Sequence, residues 1–244
     1  MSQKFNKNDT VFVPSSKFKQ LEEYPNALYQ TAVVDTNKKS IKVNLPNGVV
    51  SNFVGSSIAH SNTGIIIITI GDMETELTLL EPLKKTVLQF SRLLLDDSFI
   101  LSLSCRSVEE LKILWTKYSC SYSYLILIGH GSKNSLNFAV NQSVKANELI
   151  KIIESTSCSA KHIISLCCNT GYKEFASTFS NSKMCLDFMA PFQSIHGAEA
   201  SQFIQTFLVS HLLEGKSTSV AFKQANDMFA SKKKFRLWVN GKLK

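Results

Sequence analysis

The rhythm of apolar and polar positions changes near residue 60. Before that point, apolar residues fall in short runs separated by turn formers, which predicts strands. Thr10 to Val13 is the first, followed by a polar loop through Pro25; Tyr29 to Asp35 is the second, closed by a turn at Asn37-Lys38-Lys39. Ile41 to Leu45 alternates Ile41, Val43 and Leu45 with polar neighbours, and Pro46-Asn47-Gly48 then turns the chain into Val49 to Val54. Four or five short strands within residues 1–58 predict a small all-β barrel.

From Gly64 onward strands and helices alternate. Ile65 to Ile70 is a continuous β-branched run, the pattern of a strand covered on both faces. Leu77 to Leu95 has helical spacing, Phe99 to Ser104 reads as a strand, and Val108 to Tyr118 as a helix. Tyr124 to Ile128 is a second buried strand and Val144 to Ser155 a helix with Leu149, Ile152 and Ile153 on one face. His162 to Leu166 is a third buried strand. Helix Tyr172 to Ser180, strand Met184 to Met189, helices Ala198 to Glu214 and Ser219 to Ala230, and strand Phe235 to Val239 complete the series. Repeated β-α units over residues 62–244 predict an α/β domain, a mostly parallel sheet with helices on both faces, behind the all-β barrel.

Composition narrows the picture. With 244 residues, 44% hydrophobic and 19% charged, the chain can bury an ordinary core and needs no disulfide or metal staple. A net charge of +8 raises an acidic partner such as nucleic acid. The positive residues are scattered, however, apart from Lys232, Lys233, Lys234 and Arg236, and that run leads into an apolar strand, so nucleic acid is not the expected partner. Met1 to Thr10 has no apolar segment of the kind that directs secretion, and Ile65 to Ile70, the longest aliphatic run, is far too short to span a bilayer. The expectation is a cytoplasmic protein with no membrane partner. There the six cysteines, Cys105, Cys120, Cys158, Cys167, Cys168 and Cys185, are expected to be thiols. None forms a CxxC pair and the five histidines lack ligand spacing, so neither a metal nor another cofactor is expected.

Two buried strands end in reactive side chains. Leu125-Ile126-Leu127-Ile128 runs into Gly129-His130-Gly131, and Ile163-Ile164-Ser165-Leu166 into Cys167-Cys168-Asn169-Thr170-Gly171. Open parallel sheets carry their sites just beyond the carboxyl ends of the strands, and neighbouring strands lie about 4.8 Å apart. If these two are neighbours, imidazole and thiol meet at one edge, and an adjacent imidazole promotes the thiolate that attacks. Side-chain alternation along a strand points Cys167 away from Cys168. The amides of Gly131 and Cys168 are candidate donors to a tetrahedral oxyanion. His130 precedes Cys168 by 38 residues, room for one crossover helix. A Gly-x-Ser-x-Gly elbow, which a serine hydrolase of the α/β type needs, is missing.

On these residues the chain resembles the caspase-like cysteine peptidases, and among them the CHAT family. The family pattern is an apolar strand ending in His-Gly, a helix, then an apolar strand ending in a small residue, Cys, any residue, Thr and Gly. Here it reads Ile128-Gly129-His130-Gly131 and Leu166-Cys167-Cys168-Asn169-Thr170-Gly171. Phe203, Phe207, Leu212, Gly215, Val220, Ala221 and Ala225 resemble the closing helices, and Phe235 to Gly241 the final strand, so the likeness covers about residues 62–244. It implies a caspase-like fold, His130 as general base, Cys168 as nucleophile and a protein or peptide substrate. It also implies control by an activating partner or small signal, and a bacterial defence or stress setting. Leu166-Cys167-Cys168 replaces the Gln-Ala-Cys of true caspases, so aspartate specificity is not implied. Residues 1–58 resemble a Tudor-like barrel by strand rhythm and by Asp9-Thr10-Val11-Phe12-Val13, without an assignable aromatic cage.

Family members draw the pocket for the residue before the scissile bond from loops at this sheet edge. Asp72, Glu74 and Glu76, with Asp187, are therefore candidates to select a basic substrate residue; the plainer reading is a solvated acidic turn opening a helix. His162 is expected to be exposed, His211 packed or exposed, and His196 a residue that could line the cleft. The alternative function is a catalytically silent caspase-like scaffold whose barrel binds a peptide, a small ligand or nucleic acid.

Overall fold

The computed structural model describes residues 5–37, 40–54, 60–71, 73–139, 142–229 and 233–244. The short alternating runs form a four-stranded antiparallel sheet in the order β1 (Thr10–Pro14), β2 (Leu28–Thr36), β3 (Ser40–Asn44), β4 (Val50–Val54). Alternation turns Val11, Val13, Val33, Ile41 and Val43 inward, where Phe18, Leu21 and Leu45 cap them into a small core. Closure into the expected barrel is not seen. β1 and β4 stand at the two ends of the strand order and do not pair with each other among the described residues.

The second sheet has the order β13-β12-β11-β10-β7-β5-β6. Strands β5 (Ile65–Ile70), β6 (Ile100–Cys105), β7 (Tyr124–Gly131), β10 (Lys161–Ser165) and β11 (Cys185–Pro191) run parallel, with β6 at one edge. β12 (Phe235–Val239) and β13 (Lys242–Leu243) add antiparallel strands at one edge. A hairpin of β8 (Ser135–Asn137) and β9 (Ser143–Lys145) extends the end of β7. Strands buried on both faces read as unbroken apolar runs because successive side chains feed two different cores. Ile65, Ile67, Tyr124, Ile126, Ile128, Ile164, Leu166 and Met189 face one layer. Ile66, Ile68, Leu125, Leu127, Ile163, Cys167 and Phe188 face the other. Each fully buried aliphatic side chain contributes about 1.5–3 kcal/mol relative to exposure.

The first layer holds α2 (Glu81–Leu94), α6 (Gly197–Leu208) and α7 (Thr218–Asp227). α2 is entered through α1 (Met73–Thr75) and one π-helical turn, Glu76–Leu80, and α6 ends in another, Val209–Leu213. The second layer holds α3 (Val108–Tyr118), α4 (Ala146–Ile153) and α5 (Lys173–Phe179). Cys120 and Cys158 form a disulfide, which corrects the expectation of six thiols; Cys105, Cys167, Cys168 and Cys185 are free. No helix among the described residues is long and apolar enough to cross a membrane.

The two sheets share packing. Phe12 exchanges backbone hydrogen bonds with His60 at 2.8 and 2.9 Å, and the Ala27 amide donates to the Leu94 carbonyl at 2.6 Å. The Phe12 ring meets Phe99 edge-on at 5.6 Å, and Phe12, Ala27 and Leu28 belong to the same core as α2 and α6.

Candidate active site

β7 and β10 are adjacent and parallel, with Ser165 opposite Leu127 and the Leu166 amide donating to the Leu127 carbonyl at 2.8 Å. Both strands end at the same sheet edge, so the loop carrying Cys168 lies against Gly131. A Cβ on Gly131 would sit 2.7 Å from the Cys168 carbonyl oxygen and 2.7 Å from Thr170 Cγ2. A Cβ on Gly129 would strike the Ile70 carbonyl, and one on Gly171 the Ala190 carbonyl. The glycines of both motifs are therefore imposed by close backbone approach.

Alternation decides where the two reactive side chains point. Ile126 and Ile128 face α2 and α6, as do Ile164 and Leu166, and two positions further on come His130 and Cys168. Their contacts agree. His130 Nε2 lies 2.8 Å from Thr75 Oγ1, at the end of α1. The Ile195 amide lies 3.4 Å from Cys168 Sγ, and that thiol reaches the Ile195 carbonyl at 3.8 Å. Imidazole and thiol make no hydrogen bond to each other, and His130 Nδ1 has no partner among the described residues. In the tautomer whose Nε2–H donates to Thr75, Nδ1 carries the lone pair that a base needs.

Cys167 takes the opposite course. It is fully buried among α4 and α5 residues, and burial pushes its thiol up to about 12. Cys168 is partly exposed. Thr170 is buried and donates to the Cys167 carbonyl at 2.8 Å while meeting Ser165 Oγ at 2.8 Å, so the motif threonine ties the Cys168 loop to its strand. Asn169 has φ 63°, a left-handed turn that asparagine tolerates and that swings the chain away from β10 directly after Cys168. The Cys168 amide has no acceptor among the described residues. The Ser132 amide donates to the Ser135 carbonyl at 2.9 Å, so ladder alternation turns the Gly131 amide to the other side, toward the Cys168 loop.

A groove of about 490 Å³ opens on the same face, between the π-helical turn before α2 and the start of α6. Its lining includes Thr78, Leu79, Leu83, His196, Ser201 and Gln205. His196, named from sequence as a residue that could line the cleft, lies in this groove and caps α6. Its Nδ1 accepts from the Ala198 amide at 3.2 Å, and Glu199 accepts from the His196 amide at 3.2 Å.

The acidic candidates are not brought together. Asp187 lies near the start of β11, at the amino end of the sheet, opposite His162. It is buried and bonded to His162 Nδ1 at 2.7 Å, which removes it from the edge that carries His130 and Cys168 and leaves His162 half-buried rather than exposed. Parallel register explains both positions, because the strand ends facing away from the motifs hold residues 162 and 187 together. Glu76 pairs with Arg106 at 2.9 Å, Glu74 is exposed beside Thr75, and Asp72 lies outside the described residues. Thr75 was not legible in the sequence. It stands 55 residues from His130, and only the packing of α1 onto the sheet edge joins them.

No protein-family model matches the chain, and a search of characterised proteins returns no relative. The site is therefore defined by its geometry: a histidine and a partly exposed cysteine on one face, at the carboxyl ends of adjacent parallel strands.

Proposed function

We propose that the chain is a caspase-like, CHAT-like cysteine endopeptidase of the cytoplasm, acting on protein or peptide substrates through Cys168 and His130. The observation that carries this reading is the placement of the two side chains on one face of neighbouring strand ends, with His130 Nδ1 unengaged and Nε2 held by Thr75. His130 takes the Cys168 proton, and the thiolate attacks the scissile carbonyl carbon. The oxyanion that forms is met by the Gly131 and Cys168 amides. The C–N bond then breaks as His130 returns the proton to the leaving amine. Water, deprotonated by His130, hydrolyses the thioester and regenerates the thiol.

In the resting geometry the thiol is turned to Ile195 and makes no hydrogen bond to His130, so turnover requires the two side chains to be brought within reach of each other. Binding of substrate, an activating partner or a small signal supplies that rearrangement. A defence or stress setting follows from the family likeness alone. The same resting geometry favours the second reading, a silent scaffold that relays a ligand bound by the amino-terminal sheet.

A positional-scanning fluorogenic peptide library, read with wild type, Cys168→Ala and Cys167→Ala, separates the two readings. The peptidase reading expects cleavage in wild type and Cys167→Ala and none in Cys168→Ala. Equal cleavage by Cys168→Ala, or failure of an acylating peptide probe to label Cys168 selectively, would sink it.

A further inference from the structure

The second sheet ends at β6, and among the described residues no strand pairs with its outer side. The Gly71 amide donates to the Cys105 carbonyl at 3.4 Å, so Cys105 turns its backbone groups toward β5. By alternation Leu101 and Leu103 do the same, and Ser102 and Ser104 turn theirs outward. The Ile100 carbonyl also points outward, while the Ile100 amide is taken by the Asp97 carbonyl. An open edge is a template for another strand, and soluble proteins blunt it with charge, proline or shortness. The opposite edge is blunted in that way: β13 is two residues long and carries Lys242, with Lys244 following. β6 is six residues long and reads Ile-Leu-Ser-Leu-Ser-Cys, without a charge or a proline.

The apolar surface continues from the strand onto α3. Leu101 and Leu103 are half-buried and lie on the α3 side of the sheet. A groove of about 380 Å³ runs between β6 and α3, lined by Ser104, Arg106, Glu110, Ile113 and Leu114. Ile113 is 67% exposed beside it. Glu109 and Lys117 are exposed too, and four-residue spacing puts Glu109, Ile113 and Lys117 on one stripe of the helix. That stripe carries an anion, an apolar side chain and a cation in order. Turned end for end, it meets its own complement, Ile113 against Ile113 and Glu109 against Lys117. The strand has the same property. Two copies of β6 running antiparallel about Ser102 let each Ser102 amide donate to the other's carbonyl and each Ser104 amide to the other's Ile100 carbonyl. Leu101 then lies directly opposite Leu103, on the face that α3 covers. A twofold axis perpendicular to the sheet pairs the strands in this way and also keeps both α3 helices on one face, antiparallel to each other. One axis therefore satisfies the backbone, the apolar side chains and the charges, which is the mark of an isologous contact between identical chains.

We propose that β6 and α3 form the contact surface for a second copy of this chain, giving a twofold dimer whose sheet runs unbroken from one copy into the other. The contact is independent of the peptidase reading and stands or falls without it.

The test is the mass of the full chain in solution, read by sedimentation velocity over a range of concentrations. Wild type should sediment as a dimer that dissociates on dilution. Ile113→Lys should give a monomer with unchanged circular dichroism. Lys117→Glu and Glu109→Lys should each raise the dissociation constant about tenfold, because the axis counts every exposed ion pair twice. Glu109→Lys combined with Lys117→Glu in one chain should recover the wild-type constant. An equimolar mixture of the two single variants should form a heterodimer tighter than either variant forms with itself, a result that holds whether or not Ile113→Lys folds. A wild type that is monomeric at every concentration, as a surface for a foreign strand would leave it, overturns the proposal. So does a dimer indifferent to all of these substitutions, or assembly that continues past the dimer.

Discussion

At the level of single residues, two adjacent cysteines with the same chemistry differ because successive side chains point to opposite faces. Cys167 faces the α4–α5 layer and is fully buried, while Cys168 faces the dyad side and is partly exposed. Burial that pushes the Cys167 thiol up to about 12 removes it from nucleophilic chemistry at neutral pH. Alkylation with iodoacetamide at pH 7.5 should therefore modify Cys168 well before Cys167, a contrast that peptide mass mapping reads directly. Thr75 should matter because its hydroxyl, 2.8 Å from Nε2, holds the His130 ring in place. Thr75→Val is expected to lower turnover about tenfold to a hundredfold, by analogy with the loss of partners that orient metal-bound histidines. Thr75→Ser should retain most activity, and an unchanged pH–rate profile in Thr75→Val would remove its positioning role. Gly131 has no room for a methyl group, since a Cβ would lie 2.7 Å from backbone oxygen of the nucleophile loop. Gly131→Ala should separate the two strand ends and abolish Cys168 labelling while leaving circular dichroism unchanged.

At the level of elements, the disulfide joins the turn after α3 to the segment between α4 and β10, across 38 residues. Cross-linking a loop of that length lowers the entropy of the unfolded chain enough to contribute about 3–4 kcal/mol in the chain-entropy model. Cys120→Ser should lower the denaturant midpoint accordingly, and the same loss should appear in wild type under reducing agent. A midpoint insensitive to reduction would mean that the bond does not form in solution. The elements themselves were largely visible in the sequence. Helix and strand positions followed from apolar spacing, and the buried strands stood out because their side chains feed two cores. The hairpin β8–β9 and the last strand β13 were not visible, being too short to carry a period. Nor could spacing show that α2 begins and α6 ends in π-helical turns.

At the level of the whole molecule, the amino end of the second sheet gathers three histidines that sequence spacing did not connect, His211 buried and His60 and His162 half-buried. The His211 ring lies 5.3 Å from that of His60 and 5.4 Å from that of His162, with Tyr124 at 5.9 Å. Burial holds His211 down to about 4 and His60 well below the usual histidine range, each helped by the neighbouring imidazoles. Burial also opposes the protonated form of His162, but the charge and hydrogen bond of Asp187 outweigh it and raise its pKa. The signs follow from linkage. The neutral His60 and His211 contribute stability that is full above their unfolded value near 6.5 and is lost as pH falls below it. His162 does the opposite, contributing below 6.5 and losing that contribution as pH rises through its folded value. For His211 alone the loss at pH 5 is about 2 kcal/mol. Denaturant midpoints should fall from pH 7 to pH 5, and His211→Asn should flatten the dependence; a midpoint that rises on acidification would contradict it. His60 bonds to β1, so the first sheet should loosen from the second in the same range.

Sequence alone determined the α/β class and the order of the main elements, and it singled out His130 and Cys168 as candidates at the ends of two buried strands. It did so because periodicity and turn residues are local, and because a reactive side chain at the end of an apolar run marks a strand end at any distance. Tertiary structure alone decided which strands are neighbours, and with them everything that depends on contact between distant segments. Thr75 met His130 only when α1 packed on the sheet edge. Asp187 left the site because parallel register carried it to the opposite end, where His162 met it. Cys120 met Cys158 because α3 and α4 lie side by side in one layer. Each of these pairs joins positions far apart in the chain, and no local pattern encodes the register that brings them together.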